Sequence, residues 1–364
     1  MAEINGAPLQ TDQFVGVAGC SSSSCHGGAG EKRSQYLTWV KQDFHARAYA
    51  VLVTASSARM AEALGLPAAQ TSARCTVCHS PLQSVAPSRL TNTARTDEGV
   101  SCENCHAAAG PWLRGHTRKD WTYAMRVGAG MRDLRSFYVR ANTCVACHQN
   151  LETDLLQAGH PELTFELDGQ SIAEPEHWKD EDPASGPRAW LVGQAVALRE
   201  MSWALSQDES PDAVGLVRWR GLAWLLTKAT APQSRLPVIA LPGETTSRTL
   251  FVSVQEQADS LARRAAAGPW NTDLSATTLR ALDATDTDFV NSAGASPDLL
   301  FRRAQRLVLA LDRLSRAINH QAAASPPGAA LAALLKDVRV RDDFQPAKFA
   351  ADLVTFRTTM EQTP

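Results

Sequence analysis

Four cysteine pairs, each followed directly by a histidine, are the residues of this sequence best suited to chemistry. They read CSSSSCH from Cys20, CTVCH from Cys75, CENCH from Cys102 and CVACH from Cys144. The chain has eight cysteines and nine histidines, so the four pairs use every cysteine, and composition alone does not explain the histidine after each pair. Two thiols at this spacing can add to the two vinyl groups of a haem, and the following histidine then lies under the ring as an iron ligand.

The pattern predicts four covalently bound haem c groups. The predicted attachment residues are Cys20, Cys25, Cys75, Cys78, Cys102, Cys105, Cys144 and Cys147, and the predicted proximal iron ligands are His26, His79, His106 and His148. The first motif has two residues more between its cysteines than the others have. Its four small serines are expected to loop out so that both thiols still reach the same haem.

Zinc and disulfides are the competing interpretations of the cysteine pairs. A structural zinc site uses four thiolate or imidazole ligands at similar spacings, but it does not need a histidine after every pair. A disulfide within a CxxC pair closes a very small ring and is usually redox-active rather than structural. Both alternatives are therefore less favoured than haem.

Four six-coordinate haems would need four more ligands, and histidines outside the motifs can supply them. His45 lies in a helical pattern with Tyr36, Leu37, Val40 and Phe44 on its apolar side. The predicted distal ligands are His45, His116, His160 and His177. His320 is expected at the surface, and a methionine in place of one histidine would raise the potential of that haem.

The elements that position these residues are expected to be helices, which makes the fold class mainly α. The polar segment 168–187 suggests a boundary between a haem-packed domain, residues 1–185, and a helical domain, residues 186–364. Apolar residues recur at helical spacing through 188–207 and 296–320, which favours an antiparallel bundle. Four tryptophans of this half are expected in its core: Trp190, Trp203, Trp219 and Trp224. Without cysteines, this domain is interpreted as a cover, docking or oligomerisation element, so a homo-oligomer is possible.

Composition limits the partners and the compartment. A net charge of −2 over 364 residues gives no basic field for nucleic acid, and no apolar run reaches the roughly 18 residues that span a bilayer. Haem c is attached after export, so a periplasmic or extracellular protein is expected. The N-terminus has no apolar signal segment, which is expected if the sequence is that of a mature chain.

The stretches WVKQDFHARA, CTVCH, GVSCENCHAAAGPWLRGH and CVACH followed by GHP resemble the multihaem cytochrome c family over residues 14–180. Within it they resemble the tetrahaem cytochromes that accept electrons from hydroxylamine oxidoreductase in ammonia-oxidising bacteria. The resemblance implies closely packed haems in parallel and perpendicular pairs and mostly bis-histidine iron, with one five-coordinate haem in those relatives. It also implies that His45 and His116 are distal ligands. The wider first motif and the C-terminal half have no counterpart in those relatives.

These observations favour electron transfer between redox partner proteins whose identity is open, and they assign no catalytic residue. One alternative is a haem oxidoreductase in which a five-coordinate haem acts on a small nitrogen or sulfur compound. A second alternative is a subunit of a haem filament. The basic segment 111–140 is expected to neutralise haem propionates, to be a solvated face or to dock an acidic partner.

Overall fold

The computed structural model describes residues 13–173, 175, 185–240, 246–291, 294–319 and 325–362. It is mainly helical, with 64% helix and 1% strand. The strand content within these ranges is one isolated parallel bridge between Phe14 and Leu90, and the described residues form no sheet. The predicted mainly-α fold class is therefore confirmed.

The described residues divide into two compact units. The first unit holds the residues up to Leu163 together with Gln170 and the few described residues that follow it, and the second holds Thr164–Gly169 and the residues from Ser185 onward. The predicted domain boundary at residue 185 stays a prediction, because residues 176–184 lie outside the described ranges. No helix in these ranges is both long enough and apolar enough to cross a bilayer.

The first unit is built from short helices joined by turns. They are α1 (Gln35–Gln42), α2 (Ala48–Leu52), α3 (Ala55–Ala63), α4 (Ala73–His79), α5 (Cys102–His106), α6 (Tyr123–Gly128), α7 (Phe137–His148) and α8 (Thr153–Gln157), followed by α9 (Leu167–Ala173), which begins in the second unit. Hydroxyl groups of Thr54, Thr122 and Ser136 accept N–H groups in the first turns of α3, α6 and α7. Helices this short are marginal in water by themselves, so their surroundings decide whether they form.

The second unit is built from longer helices. They are α10 (Ser185–Gln207), α11 (Ala213–Thr230), α12 (Arg248–Ala267), α13 (Thr272–Asp283), α14 (Thr287–Val290), α15 (Pro297–Asn319), α16 (Pro326–Asp337) and α17 (Pro346–Glu361). Arg188 at the start of α10 donates to the carbonyl of Ala265 near the end of α12. Arg199, later in α10, pairs with Asp259, which lies earlier in α12, at 2.8 Å. The two helices are therefore antiparallel.

Three of the four tryptophans predicted for the core of this unit are buried, and one is not. Trp190, Trp219 and Trp224 expose between 0% and 7% of their surface, whereas Trp203 exposes 48%. The prediction for Trp203 is wrong because the buried side of α10 continues through Leu205, and a residue two positions earlier on a helix points to a different side.

Candidate functional site

Three of the four cysteine–histidine motifs lie at the ends of helices. The histidines of CTVCH, CENCH and CVACH are the last residues of α4, α5 and α7: His79, His106 and His148. Residues three and four apart on a helix share a face, so the two cysteines and the histidine of each motif are brought to one side. The CxxCH spacing is thus matched to about one turn of helix.

The first motif is a tight loop instead of a helix. It follows the 3-10 turn Val17–Gly19, and the N–H of His26 donates to the carbonyl of Cys20 across the loop at 3.2 Å. The N–H of Gly27 donates to Ser22 at 2.9 Å, and a Cβ at Gly27 would lie 1.9 Å from the carbonyl oxygen of Ser21. The loop takes up the two additional residues of the motif, and only glycine fits directly behind its histidine.

Within the described residues, three motif histidines each face a histidine from outside the motifs. The ring centres lie 6.1 Å apart for His26 and His116, 6.2 Å for His79 and His160, and 6.0 Å for His148 and His45. The rings of the first pair are nearly parallel, at 15°, whereas those of the other two pairs are tilted by 69° and 86°. The fold therefore brings together residues that lie between 81 and 103 positions apart in the sequence.

In each of these six rings a hydrogen-bond partner lies close to Nδ1. Backbone carbonyls accept from His79, His116 and His160 at 2.5–3.2 Å, and the side chain of Gln35 accepts from His26 at 3.0 Å. Such a bond fixes the ring and its tautomer and directs Nε2 toward a metal. The contact at Nδ1 in each ring is therefore compatible with metal binding through Nε2.

Both histidines of the fourth-motif pair, His45 and His148, have a side chain as the partner of Nδ1. The Nδ1 of His45 lies 3.0 Å from Oδ1 of Asp43. The Nδ1 of His148 lies 3.2 Å from Nε2 of Gln170, whose buried Oε1 has no partner. Rotating this amide group by 180° exchanges Oε1 and Nε2, so that Oε1 accepts a hydrogen bond from Nδ1 of His148. The two orientations of an amide have nearly the same shape, so the hydrogen bonds decide between them.

Burial favours the neutral form of two motif histidines. It lowers the pKa of His79 and the pKa of His148 below the ordinary value, and neighbouring imidazoles lower both further. A neutral imidazole is the form that binds a metal.

The cysteines of different motifs meet in pairs. Cys102 packs against the apolar cluster that contains Cys20, and their interaction lowers the pKa of Cys20 and raises that of Cys102. Cys147 interacts with Cys78 in the same way, lowering the pKa of Cys78 and raising its own. The structure joins none of the eight cysteines in a disulfide. The first motif is therefore next to the third, and the second is next to the fourth.

Residues 18–107 match the family model for cytochrome c554 and c-prime. The match includes the first three motifs, Cys20 to His26, Cys75 to His79 and Cys102 to His106, and it ends before the fourth. It covers about a quarter of the chain. No curated protein matches, and no solved structure matches. The family match supports a c-type cytochrome of the multihaem class, with covalently bound haem c and a role in electron transfer.

The donor set of the first unit fits haem c better than zinc. The described residues contain no group of three or more metal-binding side chains, which a closed zinc site would need. Facing histidine pairs instead suit a metal with two axial ligands. Two buried N–H groups have no hydrogen-bond partner in the protein: Nε1 of Trp112 and Nε of Arg126. Groups of this kind can donate hydrogen bonds to the propionates of a haem.

Several sequence predictions need correction or lie outside the described residues. His45 does not lie in an α-helix: it is in the 3-10 turn Phe44–Arg47. The supposed apolar side is also wrong, because Val40 exposes 41% of its surface and Phe44 exposes 79%. His177 and His320 lie outside the described ranges.

Several arginines of the basic segment 111–140 bind other groups of the same chain. Arg132 donates to the carbonyls of Asn104 and Cys105 at 2.6 and 3.1 Å, which satisfies the end of the third motif. Arg118 pairs with Asp120, and Arg135 stacks on Tyr123. These arginines therefore stabilise the loops beside the third motif.

A buried glutamate inside the third motif was not singled out by the sequence. Glu103 exposes 2% of its surface and accepts N–H groups of Val15, Gly16 and Ala109 at 2.6–3.1 Å. It thereby fastens the segment before the first motif to the third motif. Its position between the two cysteines of CENCH is the only sequence signal, and the spacing does not reveal its partners.

Proposed function

We propose that this protein is a tetrahaem c-type cytochrome that transfers electrons between redox partners through closely packed, mostly bis-histidine haems. The haems would be attached through the eight motif cysteines, with His26, His79, His106 and His148 as proximal ligands. The supporting observation is the set of three facing histidine pairs, because iron with two protein ligands has no open position for a substrate and suits outer-sphere electron transfer.

The separation of the paired rings supports one metal ion between each pair. A metal ion binds an imidazole nitrogen at about 2.0–2.1 Å, which puts the centres of two imidazoles on opposite sides of it about 6.2 Å apart. The three observed separations are 6.0–6.2 Å. On this basis His116 is the distal ligand for the first motif, His160 for the second and His45 for the fourth.

His106 is the proximal ligand proposed for the third haem, and His177, the remaining predicted distal histidine, would supply the ligand on its other side. His106 ends α5, and its carbonyl accepts the N–H of Arg132 at 3.0 Å. A six-coordinate third haem would make all four haems carriers. A five-coordinate third haem is the condition for the alternative function, an oxidoreductase acting on a small nitrogen or sulfur compound.

The cysteine contacts suggest a path through the unit. The first motif meets the third through Cys20 and Cys102, and the second meets the fourth through Cys78 and Cys147. The thiol of Cys147 also interacts electrostatically with Cys105 of the third motif. Motifs in the order first, third, fourth, second would give a continuous row of neighbours for outer-sphere electron transfer.

Haem c held by these residues would supply iron that cycles between ferric and ferrous states, one electron at a time. The protein's own contribution is to hold six imidazoles in fixed tautomers and to exclude substrate from the iron. We infer that the protein works in the periplasm or outside the cell. Its partners would be one redox protein that donates electrons and one that accepts them.

Haem counting and electron paramagnetic resonance test the proposal together. The denatured, reduced holoprotein should contain four covalently bound haems per chain. The oxidised protein should give low-spin signals from the three pairs, and a fourth low-spin signal would assign the third haem to the carriers. Fewer than four haems would contradict the proposal, and a high-spin third haem would favour the oxidoreductase.

Single substitutions assign the pairs. His116→Ala, His160→Ala and His45→Ala should each convert a different low-spin haem to high-spin and leave the other two unchanged. The three variants serve as controls for one another. If one of them left all low-spin signals in place, that distal assignment would be wrong.

A further inference from the structure

The six paired histidines differ in the charge of the group beside Nδ1. The partners of His26, His79, His116, His148 and His160 are backbone carbonyls or side-chain amides, which are neutral. The partner of His45 is the carboxyl group of Asp43, at 3.0 Å. A carboxylate therefore stands behind one ligand of the fourth-motif pair.

The position of Asp43 is well defined by the fold. Its side chain is buried, with 6% of the residue exposed, and the Oδ1 that lies near the ring also accepts the backbone N–H of His45 at 2.9 Å. It is the residue that caps the 3-10 turn Phe44–Arg47. The two bonds to one oxygen hold the carboxyl group and the imidazole in a single arrangement.

The chemistry of this contact differs from that of the other five. An imidazole that donates to a carboxylate is more basic than one that donates to a carbonyl, and a hydrogen bond to an ionised group is stronger than one to a neutral group. A more basic ligand with a nearby negative charge stabilises ferric iron relative to ferrous iron, and burial weakens the screening of that charge.

We propose that Asp43 tunes the haem attached at Cys144 and Cys147, giving it the lowest reduction potential of the three haems whose ligand pairs are described above. The inference rests on the proposed function, because it takes His45 and His148 as the axial ligands of that haem. Asp43 is a positioning and tuning residue that acts through His45, and it does not itself touch the iron.

The test is a potentiometric titration of the holoprotein followed by optical and electron paramagnetic resonance spectroscopy. Asp43→Asn keeps an oxygen that can accept from both the ring and the backbone N–H, and it removes the charge. We expect its reduction equilibrium constant to rise at least tenfold for one haem, which is 59 mV for a one-electron couple. That haem should be the one whose low-spin signal is lost in His45→Ala.

The reciprocal substitution provides an independent variant. Gln35 accepts from His26 at 3.0 Å, so Gln35→Glu places a carboxylate behind a ligand of the first-motif haem. Its reduction equilibrium constant should fall by a similar factor while that of the fourth-motif haem stays unchanged. This variant does not disturb the 3-10 turn at Asp43, so it remains informative even if Asp43→Asn folds poorly.

The outcomes separate the two proposals. If Asp43→Asn keeps four haems and all low-spin signals but changes no potential, the role of Asp43 is refuted and the ligand assignment stands. That role is refuted in the same way if wild-type titration assigns the fourth-motif haem a higher potential than the first or second. If His45→Ala removes no low-spin signal, the ligand assignment itself fails.

Discussion

The two units bury very different amounts of apolar surface. In the first unit the buried apolar residues form small clusters, such as Leu52, Ala61 and Ala69 packed against Tyr49 and Leu66. In the second unit they run along the long helices, and α10 buries residues almost continuously from its second turn. A unit whose helices are short and whose apolar clusters are small needs another source of cohesion, and the proposed haems would provide it. The second unit has a core that needs no cofactor.

Preventing haem attachment should have the largest effect, and it should be confined to the first unit. Expressed without the machinery that attaches haem, the chain should lose hydrogen-exchange protection across α4, α5 and α7, while α10, α11 and α12 stay protected. The physical reason is that the ligand histidines and cysteines would no longer be held by a common group. The holoprotein is the control, and equal protection of both units in the haem-free chain would contradict the comparison.

Removing a large side chain from the core of the second unit should have the next largest effect. Phe349 is fully buried and packs against Phe289, with ring centres 4.8 Å apart. Phe349→Ala should lower the free energy of unfolding of that unit by about 3–5 kcal/mol, measured by urea titration with circular dichroism. Haem absorbance should be unchanged before the transition. The control is Val290→Ala, 60% exposed, which should cost no more than about 0.5 kcal/mol.

In the first unit, a polar contact is expected to matter more than apolar packing near the N-terminal segment. Glu103→Gln replaces an acceptor of three backbone N–H groups with an amide that can satisfy only part of them. We expect a loss of about 2–3 kcal/mol in local stability, measured as faster hydrogen exchange at Val15, Gly16 and Ala109. Glu98→Gln, whose carboxyl group is less buried and binds only Val17 in this segment, should have a smaller effect. A larger effect at Glu98 would argue against this role of Glu103.

The smallest expected effect is a pH dependence of the second unit. Burial raises the pKa of Asp283 to about 7, above its value in the unfolded chain of about 3.9. The folded state therefore binds more protons between these values, and its stability should fall as pH rises from about 4 to 7, with a slope of at most about 1.4 kcal/mol per pH unit.

Asp283→Asn should flatten that dependence when unfolding free energies are measured by urea titration at several pH values. The matched control is Asp298→Asn, an exposed partner of Arg341, which should leave the slope as it is. An unchanged slope in Asp283→Asn would show that the carboxyl group of Asp283 does not titrate in this range.

Helical periodicity, which uses only residues close together in the sequence, predicted part of the fold. It predicted α10 and α15, and three of the tryptophans expected in the core of this unit, Trp190, Trp219 and Trp224, are buried. The same rule failed at Trp203, which depends on which neighbours cover each side of α10, and at His45, where the chain forms a 3-10 turn. Periodicity describes one element at a time, and burial depends on several.

The partners of the histidines were beyond sequence reasoning. Gln35, Asp43 and Gln170 carry no motif, and their types are common in surface loops. They become identifiable only when the fold brings them to the Nδ1 atoms of His26, His45 and His148. Asp43 and Gln35 lie only two and nine positions from their histidines, and whether such neighbours meet depends on the local backbone conformation, which is a 3-10 turn at His45.

The sequence by itself determined the chemistry that is available: eight cysteines and four histidines whose spacing is about one helical turn or a short loop, so that local geometry alone puts them on one side. Only the tertiary structure decided which distal histidine faces which motif and what stands behind each ring. Those contacts join residues up to about a hundred positions apart, and they depend on how the short helices pack. Asp43 lies only two positions before His45, but its contact with the ring depends on the 3-10 turn Phe44–Arg47, which the helical pattern of the sequence did not predict.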